Sequence, residues 1–125
     1  MVRGIRGATT VTANQENDIL NETERLFVAI AEHNEVDPED VAQVLITVTD
    51  DLNATFPAKA MRRLPGWDFV PVTCAKEINV PGSLPQCVRI LMTVNTSKTQ
   101  QEIHHVYLNE ATKLRPDLIK TSMNS

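Results

Sequence analysis

The sequence predicts an α+β fold, in which a mixed β-sheet carries one long helix and a short helix on a single face. Three observations predict it. Strand-forming residues gather in five separate runs. One long stretch repeats apolar side chains at three- and four-residue spacing. The order strand, helix, strand, short helix, three strands suits a sheet whose connections are partly crossovers and partly direct returns.

Taken in order, Val2 to Val11 reads as the first strand and ends in a polar break. From about Asn14 to Asn34, Ile19, Thr23, Leu26, Phe27 and Ile30 share one helical stripe, while Glu22, Glu24, Arg25 and Glu32 take the other side. This helix is expected to lay its apolar stripe on the sheet. Asp37-Pro38-Glu39-Asp40 reads as a helix start, with Asp37 as cap and Pro38 at the first helical position. Val41 to Thr49 is the second strand, broken by Asp50-Asp51-Leu52-Asn53. Phe56 to Leu64 reads as the short helix, opened by Pro57 and closed by Pro65-Gly66. Strands follow at Phe69 to Lys76, Cys87 to Val94 and His105 to Leu108, and the turn between the first two is rich in Pro81, Gly82, Ser83 and Pro85.

With 125 residues the chain is expected to form one domain over 1–125, with a mobile tail from about residue 116. Apolar residues make up 42% of it but include only one Trp, one Tyr and three Phe, so the core must be built from Val, Ile, Leu and Met. A formal charge of -4 argues against nucleic-acid or anionic-membrane partners, which reward positive charge. The opening Met-Val-Arg-Gly-Ile-Arg lacks the apolar stretch of an export signal, so the expected location is cytoplasmic. In that compartment Cys74 and Cys87, which form no Cys-x-x-Cys pair, read as free thiols.

The informative residues are charges inside strands. Alternation puts Val88, Ile90 and Met92 on one face and Arg89 on the other, between Cys87 and Leu91. Arg89 is then either a solvated charge or half of an anion site, and the pattern alone leaves both open. Arg6 poses the same choice, although Gly4 and Gly7 around it would let the backbone approach a ligand. Glu77 reads most simply as an exposed charge at a strand end. Cys74 and Glu77 differ by an odd number of positions, so they share a pocket only if the strand bends or ends between them. Tyr107 reads as a core residue with its hydroxyl at the rim. His104 and His105 are adjacent and face opposite ways on a strand, so no metal site is expected, and Gly4-Ile5-Arg6-Gly7 fits neither a phosphate loop nor a dinucleotide fingerprint.

Five strings nevertheless stand in register along nearly the whole chain: Arg3-Gly4-Ile5-Arg6-Gly7-Ala8-Thr9-Thr10, Phe56-Pro57-Ala58-Lys59-Ala60, Gly66-Trp67 with Val70-Pro71-Val72-Thr73-Cys74, His105-Val106-Tyr107-Leu108, and Leu114-Arg115-Pro116-Asp117. Together they resemble the AroH-class chorismate mutases. The resemblance implies an isomerase that converts chorismate to prephenate without metal or cofactor. It further implies a homotrimer closing into a pseudo α/β-barrel, with active sites between subunits. Arg6 and Tyr107 match positions that hold a substrate carboxylate, and Arg89 the one that reaches the ether oxygen and carboxylate. Glu77 and the Cys74 region match the part that receives the ring hydroxyl, with Thr73, Ala75 and Lys76 completing that wall. Phe56, Arg62, Leu114 and Arg115 match residues that line or close the cleft. The rival expectations are a non-catalytic trimeric module binding a small carboxylate, and an imine or enamine deaminase. Turnover of chorismate separates all three.

Overall fold

The computed structural model describes residues 1–114. Arg115 and the tail from about residue 116 lie outside the described residues. Five strands, β1 (Val2–Thr10), β2 (Val41–Val48), β3 (Val72–Lys76), β4 (Cys87–Asn95) and β5 (Val106–Tyr107), form one sheet in the order β3-β2-β4-β1-β5. The sheet is mixed, as expected: β4 runs antiparallel to both β1 and β2, while β3 runs parallel to β2 and β5 parallel to β1.

The long helix α1 (Glu16–Asn34) packs on one face through the predicted stripe, and Ile19, Thr23, Leu26, Phe27 and Ile30 are all fully buried. Thr23 is tolerated there because its hydroxyl donates to the Ile19 carbonyl one turn back, at 2.7 Å. The sheet answers with Ile5 from β1, Val44 and Ile46 from β2, and Val88, Ile90, Met92 and Val94 from β4. A Cβ on Gly7 would lie 2.6 Å from Ile30 Cδ1 and 3.1 Å from Leu26 Cδ1. This glycine therefore lets the helix sit close to β1, and the reading that it opens the backbone to a ligand is corrected. Gly4, whose Cβ would meet only Leu91 at an ordinary 3.6 Å, has no such role in packing.

The short helix is a 3-10 turn series at Pro57–Arg63 that packs against α1 on the same face, burying Ala60 and Met61. Asp37 caps a single 3-10 turn, Pro38–Asp40, by accepting from the Glu39 N–H at 3.0 Å. One boundary differs from expectation by more than two residues. β3 begins at Val72 rather than Phe69, because the Val70 N–H closes a turn onto the Trp67 carbonyl and leaves Phe69 almost completely exposed. Trp67 instead faces inward, edge-on to Phe27 with ring centroids 5.8 Å apart. No helix among the described residues is long and apolar enough to cross a membrane.

Candidate active site

Alternation gives the sheet two unlike faces. The face turned from α1 carries Gly4, Arg6, Ala8 and Thr10 from β1, Cys87, Arg89 and Leu91 from β4, Leu45 and Thr47 from β2, and Thr73 and Ala75 from β3, aligned by the register. Arg89 sits at its centre, directly opposite Ala8 on one neighbouring strand and Thr47 on the other. Arg6 lies on the same face one diagonal step away, opposite Leu91, and is exposed. Its backbone N–H donates to His105 Nδ1 at 3.0 Å.

Glu77 stands one residue beyond β3. Its N–H still donates to the Val48 carbonyl at 2.8 Å, which extends the ladder and turns its side chain back over the sheet. There Glu77 Oε2 accepts from the Thr47 hydroxyl at 2.5 Å and lies 3.4 Å from Arg89 Nε. The pair is half-buried, with side chains 39% and 24% exposed for Arg89 and Glu77. The contact to Arg89 is an ion pair without hydrogen-bond direction, and the buried Nε has no hydrogen-bond partner among the described residues. The guanidinium is thus held near a carboxylate without being saturated by it.

Tyr107 reaches this face from the sheet edge, beside Ala8 in the β1–β5 register. Its ring packs with Ala8, Cys87 and Ala111, and Leu84 and Leu114 cover the cluster. Tyr107 is 3% exposed, and its hydroxyl is buried with no hydrogen-bond partner among the described residues. A buried hydroxyl without a partner is costly and marks a place where a ligand oxygen would be welcome.

The other expected residues lie elsewhere. Cys74 has the opposite parity to Thr73 and Ala75, so its side chain faces the Pro57–Arg63 turns and packs against the helix-side core. Burial pushes its thiol above the ordinary value, partly offset by a backbone hydrogen bond from Ala58. β3 ends at Lys76, between Cys74 and Glu77, yet Glu77 keeps the parity of Thr73 and Ala75, so the two side chains still face opposite sides of the sheet. Cys74 instead lines an open groove with Phe56 and Lys59 along the outer edge of β3, in two joined hollows of ≈ 660 and ≈ 730 Å³. Lys76 lines the first and Arg62 the second. Phe56 projects into it, 71% exposed.

The expected site residues therefore fall into two groups. Arg6, Glu77, Arg89, Tyr107, Thr73, Ala75 and Leu114 belong to the sheet face or its edge, while Phe56, Arg62, Cys74 and Lys76 belong to the groove, whose first hollow Ala75 also lines. Two residues near these groups were not singled out in the sequence. Thr47 was hidden because its contact with Glu77 depends on the pairing of distant strands. Lys59, which forms an ion pair with Glu16 at 3.2 Å, stood in plain view within Phe56-Pro57-Ala58-Lys59-Ala60.

Comparison with known proteins agrees on one relationship. The family model described as chorismate mutase type I matches residues 2–118. Chorismate mutase AroH of Bacillus subtilis strain 168 is 53% identical over 121 residues, which cover 97% of this chain and 95% of that one. Chorismate mutase AroH of Thermus thermophilus is 46% identical over 119 residues, covering 94% and 97%. A solved chorismate mutase from Clostridium thermocellum superposes with a TM-score of 0.86 at 46% identity, covering 89% of this chain and 98% of that one.

Proposed function

The chain belongs to the chorismate mutase type I family and is a chorismate mutase, an isomerase of aromatic amino-acid biosynthesis, and from that premise we propose how its side chains divide the work of converting chorismate to prephenate. The observation that carries the proposal is the incompletely satisfied Arg89 guanidinium, beside Glu77 on the bare face of the sheet.

Chorismate is a dianion, and its rearrangement breaks one C–O bond as a C–C bond forms, with no nucleophile and no obligatory proton transfer. The protein has to hold the enolpyruvyl group over the ring, which removes conformational freedom, and to stabilise the charge that separates as the bond stretches. Arg89 is the donor to the ether oxygen, whose negative charge grows in the transition state. Glu77 offsets the positive character that develops on the ring, and its carboxylate also accepts from the ring hydroxyl. Arg6 and the unpaired Tyr107 hydroxyl take a substrate carboxylate. Thr73 and Ala75 form the wall beside them, and Leu114 with Arg115 closes the cleft.

The groove residues act on a substrate held by another copy. Phe56, Arg62, Cys74 and Lys76 lie across the sheet from Arg89 in their own chain, so one ligand meets both half-sites only where two chains adjoin. By the alternation of β3, the Cys74 peptide group points along the free edge, away from β2, and can offer its N–H to that ligand. A homotrimer closing into a pseudo α/β-barrel brings the bare faces together and covers Leu45 and Leu91, which are 37% and 44% exposed in the isolated chain. The same proposal takes residues 1–125 as one domain in the cytoplasm, where Cys74 and Cys87 stay free.

The test is turnover followed by ultraviolet absorbance, with prephenate identified as product and assembly mass measured by light scattering. Hybrids of Arg89→Ala and Phe56→Ala copies are expected to regain activity, because some interfaces then pair two intact half-sites. A fully active monomer would sink the shared-site reading.

A further inference from the structure

We propose that Thr47 is a positioning residue, whose hydroxyl holds Glu77 off the Arg89 guanidinium and so keeps that guanidinium available to substrate. The inference rests on the site assignment above. Glu77 lies past the end of β3, where its N–H to Val48 is the last rung of the ladder, so its long side chain needs another restraint. Thr47 supplies one. It is β-branched and therefore stiff about its first side-chain bond, and it sits on β2 between the strand that leads into Glu77 and the strand that carries Arg89.

The geometry is directional in one contact and not in the other. The Thr47 hydroxyl donates to Glu77 Oε2 at 2.5 Å, a short charge-assisted bond. Arg89 Nε lies 3.4 Å from that same oxygen without hydrogen-bond geometry. A carboxylate beside an arginine ordinarily turns to make the two-pronged pair, which uses up the guanidinium donors. Here the oxygen is claimed by Thr47 instead, and Oε1 has no hydrogen bond among the described residues. Without the hydroxyl, Glu77 turns onto Arg89, and the two groups neutralise each other rather than meeting the substrate.

Thr47→Val removes the hydroxyl while nearly preserving shape. It is expected to lower kcat about tenfold with assembly mass unchanged, while Thr47→Ser, which keeps the donor, stays near wild type. The discriminating measurement is the same substitution in a Glu77→Ala background, where it is expected to change kcat no further. A Thr47→Val enzyme at wild-type kcat overturns the proposal. So does an equal loss in Thr47→Ser, or a full extra tenfold loss in the Glu77→Ala background. If Thr47→Val fails to fold, Thr47→Ala carries the same comparisons. Failure of the underlying site assignment looks different, since Glu77→Ala and Arg89→Ala would then themselves turn over normally.

Discussion

Replacing Arg89 by alanine tests the chemistry most directly, and the structure separates its effect on rate from its effect on folding. The side chain is 39% exposed and its one ion pair among the described residues, with Glu77 at 3.4 Å, is half in solvent. Pairs of that kind contribute about 0.2–1 kcal/mol to stability. The hydrophobic core lies on the opposite side of β4, in Val88, Ile90 and Met92, and is untouched. The expected loss of stability is therefore about 1 kcal/mol or less. The rate has much more to lose. Removing a preorganised donor to a developing oxyanion costs about 10²–10³ in kcat, or roughly 3–4 kcal/mol. Enzymatic accelerations start near 10⁶, or about 8 kcal/mol, so this one contact supplies a large share. The assay is kcat from the ultraviolet disappearance of chorismate, with thermal melting and assembly mass measured on the same sample. A folded, assembled Arg89→Ala enzyme within about threefold of wild-type kcat would show that the guanidinium does not meet the transition state.

Because the proposed mechanism moves no proton, kcat is expected to stay nearly flat from about pH 6 to 9, and a sharp bell in the chemical step would contradict it. Stability should behave differently at alkaline pH. Burial raises the Cys87 thiol above its ordinary 9.0, so the unfolded chain loses this proton first; the contribution is complete below that value and is lost as pH rises through the folded-state value. Urea titrations should accordingly show the loss of stability above pH 9 lessened in Cys87→Ala. Gly7→Ala should destabilise by about 1–3 kcal/mol in the same titration, since the added methyl meets buried Ile30 at 2.6 Å. A neutral result would mean that α1 can lift from β1 without cost.

What the sequence disclosed is what depends on local period. The α1 stripe and the inward Val88, Ile90 and Met92 follow from spacing alone, and both are buried as expected. The same alternation put Arg89 on the other face, though not what it would meet there. Its contact with Glu77, and the place of Thr47 beside both, require β2 to lie between β3 and β4, a long-range arrangement that no window of sequence contains. Gly7 misled for a related reason. A glycine in a strand signals close approach, but only the packing of α1 shows that a helix makes it. At the start of β3, Phe69 looked like a strand residue by type. The turn closed by Val70 and the missing N–H of Pro71 prevail over that preference.

The two-faced β4 also bears on how this molecule can change over time. Even-numbered positions from Val88 to Val94 answer to the helix, whereas odd-numbered ones look outward, with Arg89 among them. A lineage can therefore experiment with what the outward row recognises while the inward row keeps the chain folded. Libraries randomised at the odd positions should yield mostly folded chains of altered activity or assembly, and those at the even positions mostly insoluble ones.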